Sequence, residues 1–254
     1  MAFFDERVLR EFDPHTFTDK KPFPWHNFSQ IVTPQGFEKL YREFPPLTLF
    51  DKHVGMMRSH GQRPHDRYYL AYEHSIYGAK SATPGAVKHE DLPGPWQEFI
   101  SELQTSDAWK QFAERLVGQG NLTARYAWHV GTQGSEVSPH RDSDDKLATH
   151  IFYFNTSDDW EEAWGGSTLV LSGKKTDRMN PDFDDFTGEI ASEICNNHSF
   201  LFKNTTEAWH GVRTLTCPPE RYRRLFNVIF HADEAPKKTG FADRLKSTLL
   251  GNRK

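Results

Sequence analysis

Three places in this chain set an acidic residue two positions after a histidine: His89-Glu90-Asp91, His140-Arg141-Asp142 and His231-Ala232-Asp233. In an extended segment, residues i and i+2 point to the same side, so such a pair can offer an imidazole and a carboxylate to one metal ion. Two histidines and a carboxylate on one face of an octahedron suit a redox iron, because three positions stay open for other ligands. The triplet by itself decides nothing. With 13 histidines, about one His-x-Asp is expected by chance.

Setting separates the three. His231 is the last histidine in the chain, so no distal histidine can follow it, and its neighbours DEAPKK read as a strand-to-tail turn. His89 lies in VKHEDLPGPW, a loop punctuated by Pro and Gly that offers no rigid sheet to hold two ligands. His140 follows the Gly-rich turn VGTQGSEVSP and precedes the strand THIFYFN, which places it at the rim of a sheet. A third ligand must come from His150, His198, His210 or His231. His210, in NTTEAWHGV just after the apolar strand SFLFK, is the best of these. His150 and His198 read as facing the sheet surface or satisfying local hydrogen bonds. HRD also opens the kinase catalytic loop, but Leu147 stands where the metal-binding Asn belongs, and the chain has no Gly-rich phosphate loop or DFG.

These residues need rigid supports. In SDAWKQFAERLVG, Ser106 caps a helix whose Trp109, Phe112, Ala113, Leu116 and Val117 share one face. Further helices are expected over 35–44, stopped by Pro45-Pro46, and over about 96–103. From residue 123 onward, short β-branched and aromatic runs alternate with Gly, Asn, Asp and Pro. That texture predicts antiparallel strands near 123–130, 148–155, 167–172, 189–194, 198–203, 209–214 and 223–230, with 173–188 as a polar surface loop. The fold class expected is mainly β with a helical layer: a double-stranded β-helix (jelly roll, cupin-like) with N-terminal helices packed on one sheet. A single domain spanning 1–254 is expected, divided into a helix-rich part (1–120), a jelly-roll core (121–232) and a helical tail (233–254) in which Phe241, Leu245 and Leu249 share a face.

The 254 residues carry a net charge of −4 and are 36% hydrophobic, enough for a substantial core. No apolar run approaches a membrane span of about 18 residues, and the first residues lack the pattern of a signal peptide, so a cytoplasmic protein is expected. Cys195 and Cys217 form no paired motif. Basic residues are scattered except near the C-terminus, so neither nucleic acid nor membrane is an implied partner.

The stretches PHRDSDDKLATHIFYFN, WGGSTLVLS, SFLFKNTTEAWHGV and LTCPPERYRRLFNVIF, in that order and spacing, resemble the iron(II)- and 2-oxoglutarate-dependent oxygenase superfamily, in its prolyl-4-hydroxylase-like branch. PFPWHNFSQIVTPQGFEKLYREFP also looks like the opening segment of these proteins, and residues 45–95 are the least typical.

The resemblance implies iron(II) held by His140, Asp142 and His210, with 2-oxoglutarate and dioxygen as cosubstrates. It implies an arginine on the last strand for the far carboxylate of 2-oxoglutarate, whose geometry a guanidinium fork matches. Arg221, Arg223 and Arg224 compete. Alignment of the closing strand favours Arg223, although Leu225 stands where relatives have Ser, and strand parity puts Arg223 on one face with Asn227. Tyr153 matches a position that donates a phenolic hydroxyl to the same carboxylate in relatives.

The implied reaction is hydroxylation of an unactivated C–H bond with release of succinate and carbon dioxide, on a small-molecule or peptide-derived substrate. Halogenating relatives replace the carboxylate that Asp142 retains. Arg125, Trp128, Arg141 and Trp209 are candidates to line a substrate pocket. The His-rich stretch containing His53, His60 and His65 reads as a polar loop. Two rival readings, a cupin-type metal enzyme without 2-oxoglutarate and a jelly-roll binding module, have no use for a basic residue facing the metal.

Overall fold

A computed structural model describes residues 2–55, 63–64, 66–73 and 85–232; the tail helix expected over 233–254 lies outside the described residues, as do His60 and His65. The helices are α1 (Glu6–Glu11), α2 (His15–Thr18), α3 (Pro34–Arg42), α4 (Gly94–Thr105) and α5 (Asp107–Val117). The strands are β1 (Trp25–Ser29), β2 (Asp51–His53), β3 (Arg67–Tyr72), β4 (Ala86–Val87), β5 (Leu122–Gly131) and β6 (Val137–His140), then β7 (Lys146–Tyr153), β8 (Leu169–Ser172), β9 (Gly188–Ala191), β10 (His198–Lys203), β11 (His210–Val212) and β12 (Arg223–Ala232).

Local chemistry accounts for the helix boundaries. Ser106 Oγ accepts from the Trp109 backbone N–H at 3.2 Å and opens α5, and Gly118, at φ 74°, closes it in the left-handed conformation. Thr33 caps α3 ahead of Pro34, whose missing N–H is harmless in a first turn.

An eight-stranded sheet runs in the order β1-β10-β7-β12-β5-β3-β2, with β4 alongside β3, and a four-stranded sheet runs β6-β11-β8-β9. The two form a jelly roll. Along central β12, Phe226, Val228 and Phe230 point into the core beneath the helices. Arg223, Leu225, Asn227 and Ile229, of opposite parity, face the space between the sheets. The helical layer buries Trp96, Phe99, Trp109 and Phe112 against Trp128, Phe152 and Phe226. Truncating a fully buried ring of this kind costs about 3–5 kcal/mol, so this seam anchors the large sheet.

The mainly-β class, the helices on one sheet and all seven expected strands are present. Five strands escaped the sequence reading. β1, β2, β3 and β4 come from the part read as helix and loop, and β6 from the turn before His140. Their short lengths explain this: alone they carry too few alternations to signal a sheet, and their pairing with β10, β5 and β11 defines them.

Candidate metal centre

β6 and β11 are antiparallel neighbours in which His140 and His210 are register partners, with ring centroids 4.3 Å apart. Each imidazole is oriented by its own backbone. Nδ1 of His140 donates to the Ser138 carbonyl at 2.9 Å, and Nδ1 of His210 to the Ala208 carbonyl at 2.9 Å. Those bonds place the proton on Nδ1 and the lone pair on Nε2, the tautomer a metal needs.

Asp142 leaves the end of β6, and both of its oxygens are tied. Lys146 Nζ donates to Oδ1 at 2.8 Å and Thr149 Oγ1 to Oδ2 at 3.0 Å. Burial opposes its ionisation, but Lys146 and the two histidines outweigh this and hold the carboxyl well below the usual carboxylate range. One ligand atom from each of His140, Asp142 and His210 lies within 4.8 Å of the others, the only such group among the described residues. Two oriented imidazoles and an ionised carboxylate fit an iron(II) ion and leave coordination positions open.

A cavity of about 200 Å³ opens from these three residues between the sheets. Arg223 forms part of its wall and is only 6% exposed. Its Nε donates to the Gly166 carbonyl at 2.5 Å, one terminal nitrogen reaches Thr168 Oγ1 at 3.5 Å, and the guanidinium lies 5.4 Å from the Tyr153 ring centre. Burial lowers its pKa, an effect partly offset by Tyr153. Among the described residues it makes no ion pair. Gly166, at φ 98°, gives it room, since a Cβ there would meet Arg223 Cδ at 3.0 Å.

The three competing arginines separate by location. Arg221 is exposed, with its guanidinium 5.9 Å from the Trp164 ring. Arg224 faces away from the cavity, pairs with Asp159 and packs 4.6 Å from the Tyr41 ring. Arg223 alone of the three lines the cavity. The Tyr153 hydroxyl bonds to Thr168 Oγ1 at 2.7 Å and Ser192 Oγ at 3.2 Å, so Thr168 stands on the wall and Tyr153 behind it. Asn227 is on the wall, and its buried Oδ1 has no hydrogen-bond partner among the described residues.

Of the candidate pocket residues, Arg125 lines the cavity. Trp128 does not. It is fully buried on the opposite face of β5 against Trp96. Arg141 and Trp209 pack together outside the cavity, 5.7 Å apart. His53, expected in a polar loop, is instead buried on β2, 3.2 Å from Asp51 and stacked on Tyr69. His150 is also not at a sheet surface: it is buried under the helices, bonded to Ser199 Oγ at 3.0 Å. His198 does satisfy a local bond, to the Cys195 carbonyl. His89 occupies a short 3-10 turn before α4, and His231 the end of β12.

The sequence reading missed Lys146, Thr149 and Thr168. Thr149 was accessible to it, being two residues from Ile151 and four from Tyr153 on one strand face.

Residues 122–231 match the family model described as the 2OG-Fe(II) oxygenase superfamily. That segment, a little under half of the chain, is similar to the superfamily. That family implies iron(II), 2-oxoglutarate and dioxygen, and the His-Asp-His cluster of this chain lies inside the matched segment.

Its fold is similar to that of solved relatives at low identity. A prolyl-4-hydroxylase from Pseudomonas putida is 12% identical, with 87% of this chain and 100% of that one covered and a TM-score of 0.51. A prolyl 4-hydroxylase from Phytophthora capsici is 13% identical, with 97% and 76% covered and a TM-score of 0.55. The carbocyclase SnoK from nogalamycin biosynthesis is 10% identical, with 88% and 85% covered and a TM-score of 0.57. No functionally curated protein matches the sequence significantly. No described helix is long and apolar enough to cross a membrane.

Proposed function

We propose that this protein is a 2-oxoglutarate-dependent oxygenase that holds iron(II) through His140, Asp142 and His210, anchors 2-oxoglutarate on Arg223, and hydroxylates a C–H bond of a small-molecule or peptide-derived substrate. The observation that carries this reading is a guanidinium buried with no counter-ion among the described residues, in the same cavity as the three ligand residues. A buried unpaired cation costs several kcal/mol, and a dicarboxylate with one end on the metal would supply the missing anion at the other.

When bound, the iron supplies dioxygen activation coupled to oxidative decarboxylation of 2-oxoglutarate. One oxygen atom would go to succinate and the other to the substrate alcohol, with carbon dioxide released. The residues of the chain position and insulate. The carbonyls of Ser138 and Ala208 fix the two imidazoles, while Lys146 and Thr149 hold Asp142 ionised. Thr168, backed by Tyr153, adds a hydroxyl beside Arg223, and Asn227 presents a further polar contact to the cosubstrate. Ile151, Phe202, Val212 and Leu225 make much of the remaining wall apolar, which strengthens the charge pairing at Arg223.

Similar folds serve a prolyl hydroxylase in complex with a peptide fragment and the carbocyclase SnoK, so peptides and small molecules are both reasonable substrate sources here. Anaerobic addition of iron(II) and 2-oxoglutarate should produce the weak visible charge-transfer band of the chelate. The band should vanish in His210→Ala and weaken in Arg223→Ala. Its absence from the wild-type protein would overturn the proposal.

A further inference from the structure

The cavity carries a second cation that the anchoring of 2-oxoglutarate does not use. Arg125 lies six residues before Gly131 on β5, and Gly131 is the register partner of Arg223. At about 3.4 Å per residue the backbones of the two arginines are roughly 20 Å apart along the strands, and the Arg125 guanidinium reaches towards His231, away from Arg223, which puts the two groups beyond the span of one dicarboxylate the size of 2-oxoglutarate.

Arg125 is held in place. Nδ1 of His231 donates to the Asp145 carbonyl at 2.9 Å, which leaves Nε2 to accept from Arg125 Nε at 2.9 Å. With Nε committed, the two terminal nitrogens form a fork, and a carboxylate or phosphate is the group that such a fork matches. Among the described residues Arg125 makes no ion pair; the exposed carboxylate of Asp145 acts on it only at longer range. Lys146 cannot take over this role, because its ammonium is paired with Asp142. Asn227 lies nearby on β12, two residues from Ile229, which is the register partner of Arg125. Its buried Oδ1 has no hydrogen-bond partner among the described residues, and a hydroxyl or N–H on the substrate, apart from its anionic group, would supply the donor.

We infer that the primary substrate of this oxygenase carries an anionic oxygen group, a carboxylate or a phosphate, which Arg125 binds at the end of the cavity away from Arg223. This rests on the function proposed above. It makes Arg125 a specificity-determining residue and His231 a positioning residue that acts through it.

The test uses the full chain, anaerobic, with iron(II) and saturating 2-oxoglutarate, titrated calorimetrically with benzoate, octanoate and phenyl phosphate and with the neutral benzamide and octanamide. At least one anion should bind ten times or more tightly than its neutral counterpart, without displacing 2-oxoglutarate. Arg125→Gln should remove that preference, and Arg125→Lys should keep part of it. Both variants should retain the wild-type charge-transfer band, which also reports that they are folded. His231→Leu should weaken anion binding and His231→Gln, whose amide oxygen can still accept from Arg125, should restore it.

Equal binding of anions and amides, no anion binding at all, or an anion preference unchanged in Arg125→Gln would overturn the inference. Absence of the band from wild type signals failure of the oxygenase reading itself, which is a separate result.

Discussion

Replacing Arg223 by Met tests the cosubstrate site through two effects of very different size. Without 2-oxoglutarate, removing a buried cation that has no ion pair among the described residues relieves a desolvation cost, and isosteric apolar replacements of buried charges have stabilised proteins by about 1–4 kcal/mol. Against this stand a Gly166 carbonyl left without its donor, roughly 1–3 kcal/mol, and the lost contact with the Tyr153 ring, about 0.5–2 kcal/mol. The sum is near zero, so the apo variant should melt within a few degrees of wild type, at roughly 2–4 °C per kcal/mol for a chain of this size. With a redox-inert divalent metal and 2-oxoglutarate at 100 times its wild-type Kd, wild type gains about 2.7 kcal/mol. Losing one partner of a desolvated charge pair costs about 2–5 kcal/mol of binding, at least a 30-fold rise in Kd. The ligand-induced gain should then fall to about 1 kcal/mol or less. Differential scanning calorimetry with and without 2-oxoglutarate reads both quantities. An apo variant melting more than about 10 °C lower, together with an undiminished 2-oxoglutarate shift, would refute the reasoning, because Arg223 would then be a structural cation.

Gly166→Ala places a methyl group 3.0 Å from Arg223 Cδ at φ 98°, a conformation costing about 1–3 kcal/mol for a non-glycine residue; the KM for 2-oxoglutarate should rise about tenfold while metal affinity is retained, as steady-state kinetics and metal titration will show. Thr149→Val removes the donor to Asp142 Oδ2 and should weaken metal binding by about 10–100-fold, measured by competition with a chelator; unchanged affinity would mean that Lys146 alone orients the carboxylate. His150, its pKa pushed down to about 3 by burial and by His26, is neutral in the fold and takes up a proton on unfolding below its ordinary pKa of 6.5. Its contribution is complete above that pH and is lost as the pH falls towards 3, amounting to about 2 kcal/mol at pH 5. Urea denaturation of the metal-free protein should therefore show wild type losing about 2 kcal/mol more than His150→Leu between pH 7 and pH 5, and parallel losses would count against the assignment.

Much of the geometry of the candidate site was legible in the chain because its residues sit on alternating strands. The choice of His140-Arg141-Asp142 over two other triplets followed from its place at a sheet rim, and His210 from its position after an apolar run. The preference for Arg223 came with Asn227 on the same face, and both do line the cavity. Placing Trp128 beside Arg125 failed by the same rule: residues three apart on a regular strand face opposite ways, so only one of them can reach the cavity. His53 could not be placed because its partners Asp51 and Tyr69 belong to strands too short to announce themselves, and their pairing is a property of the assembled sheet. The tie of Lys146 to Asp142 is likewise tertiary, since a Lys four residues after an Asp in a turn is ordinarily a solvated side chain.

The same alternation separates stability from chemistry along β12. Phe226, Val228 and Phe230 are in the core under the helices, where truncation acts on the folding free energy alone. Facing the cavity, Arg223 is buried with no ion pair and Asn227 Oδ1 has no hydrogen-bond partner among the described residues, a condition that folding selects against and ligand binding relieves. Leu225 and Ile229, between and beyond them, keep the floor apolar, so water does not compete effectively for the guanidinium. A strand designed only to fold would carry apolar residues at all of these positions. Buried polar groups on one face only therefore mark where this chain has given up stability for function, and they identify Arg125, on the neighbouring strand, as part of the same surface.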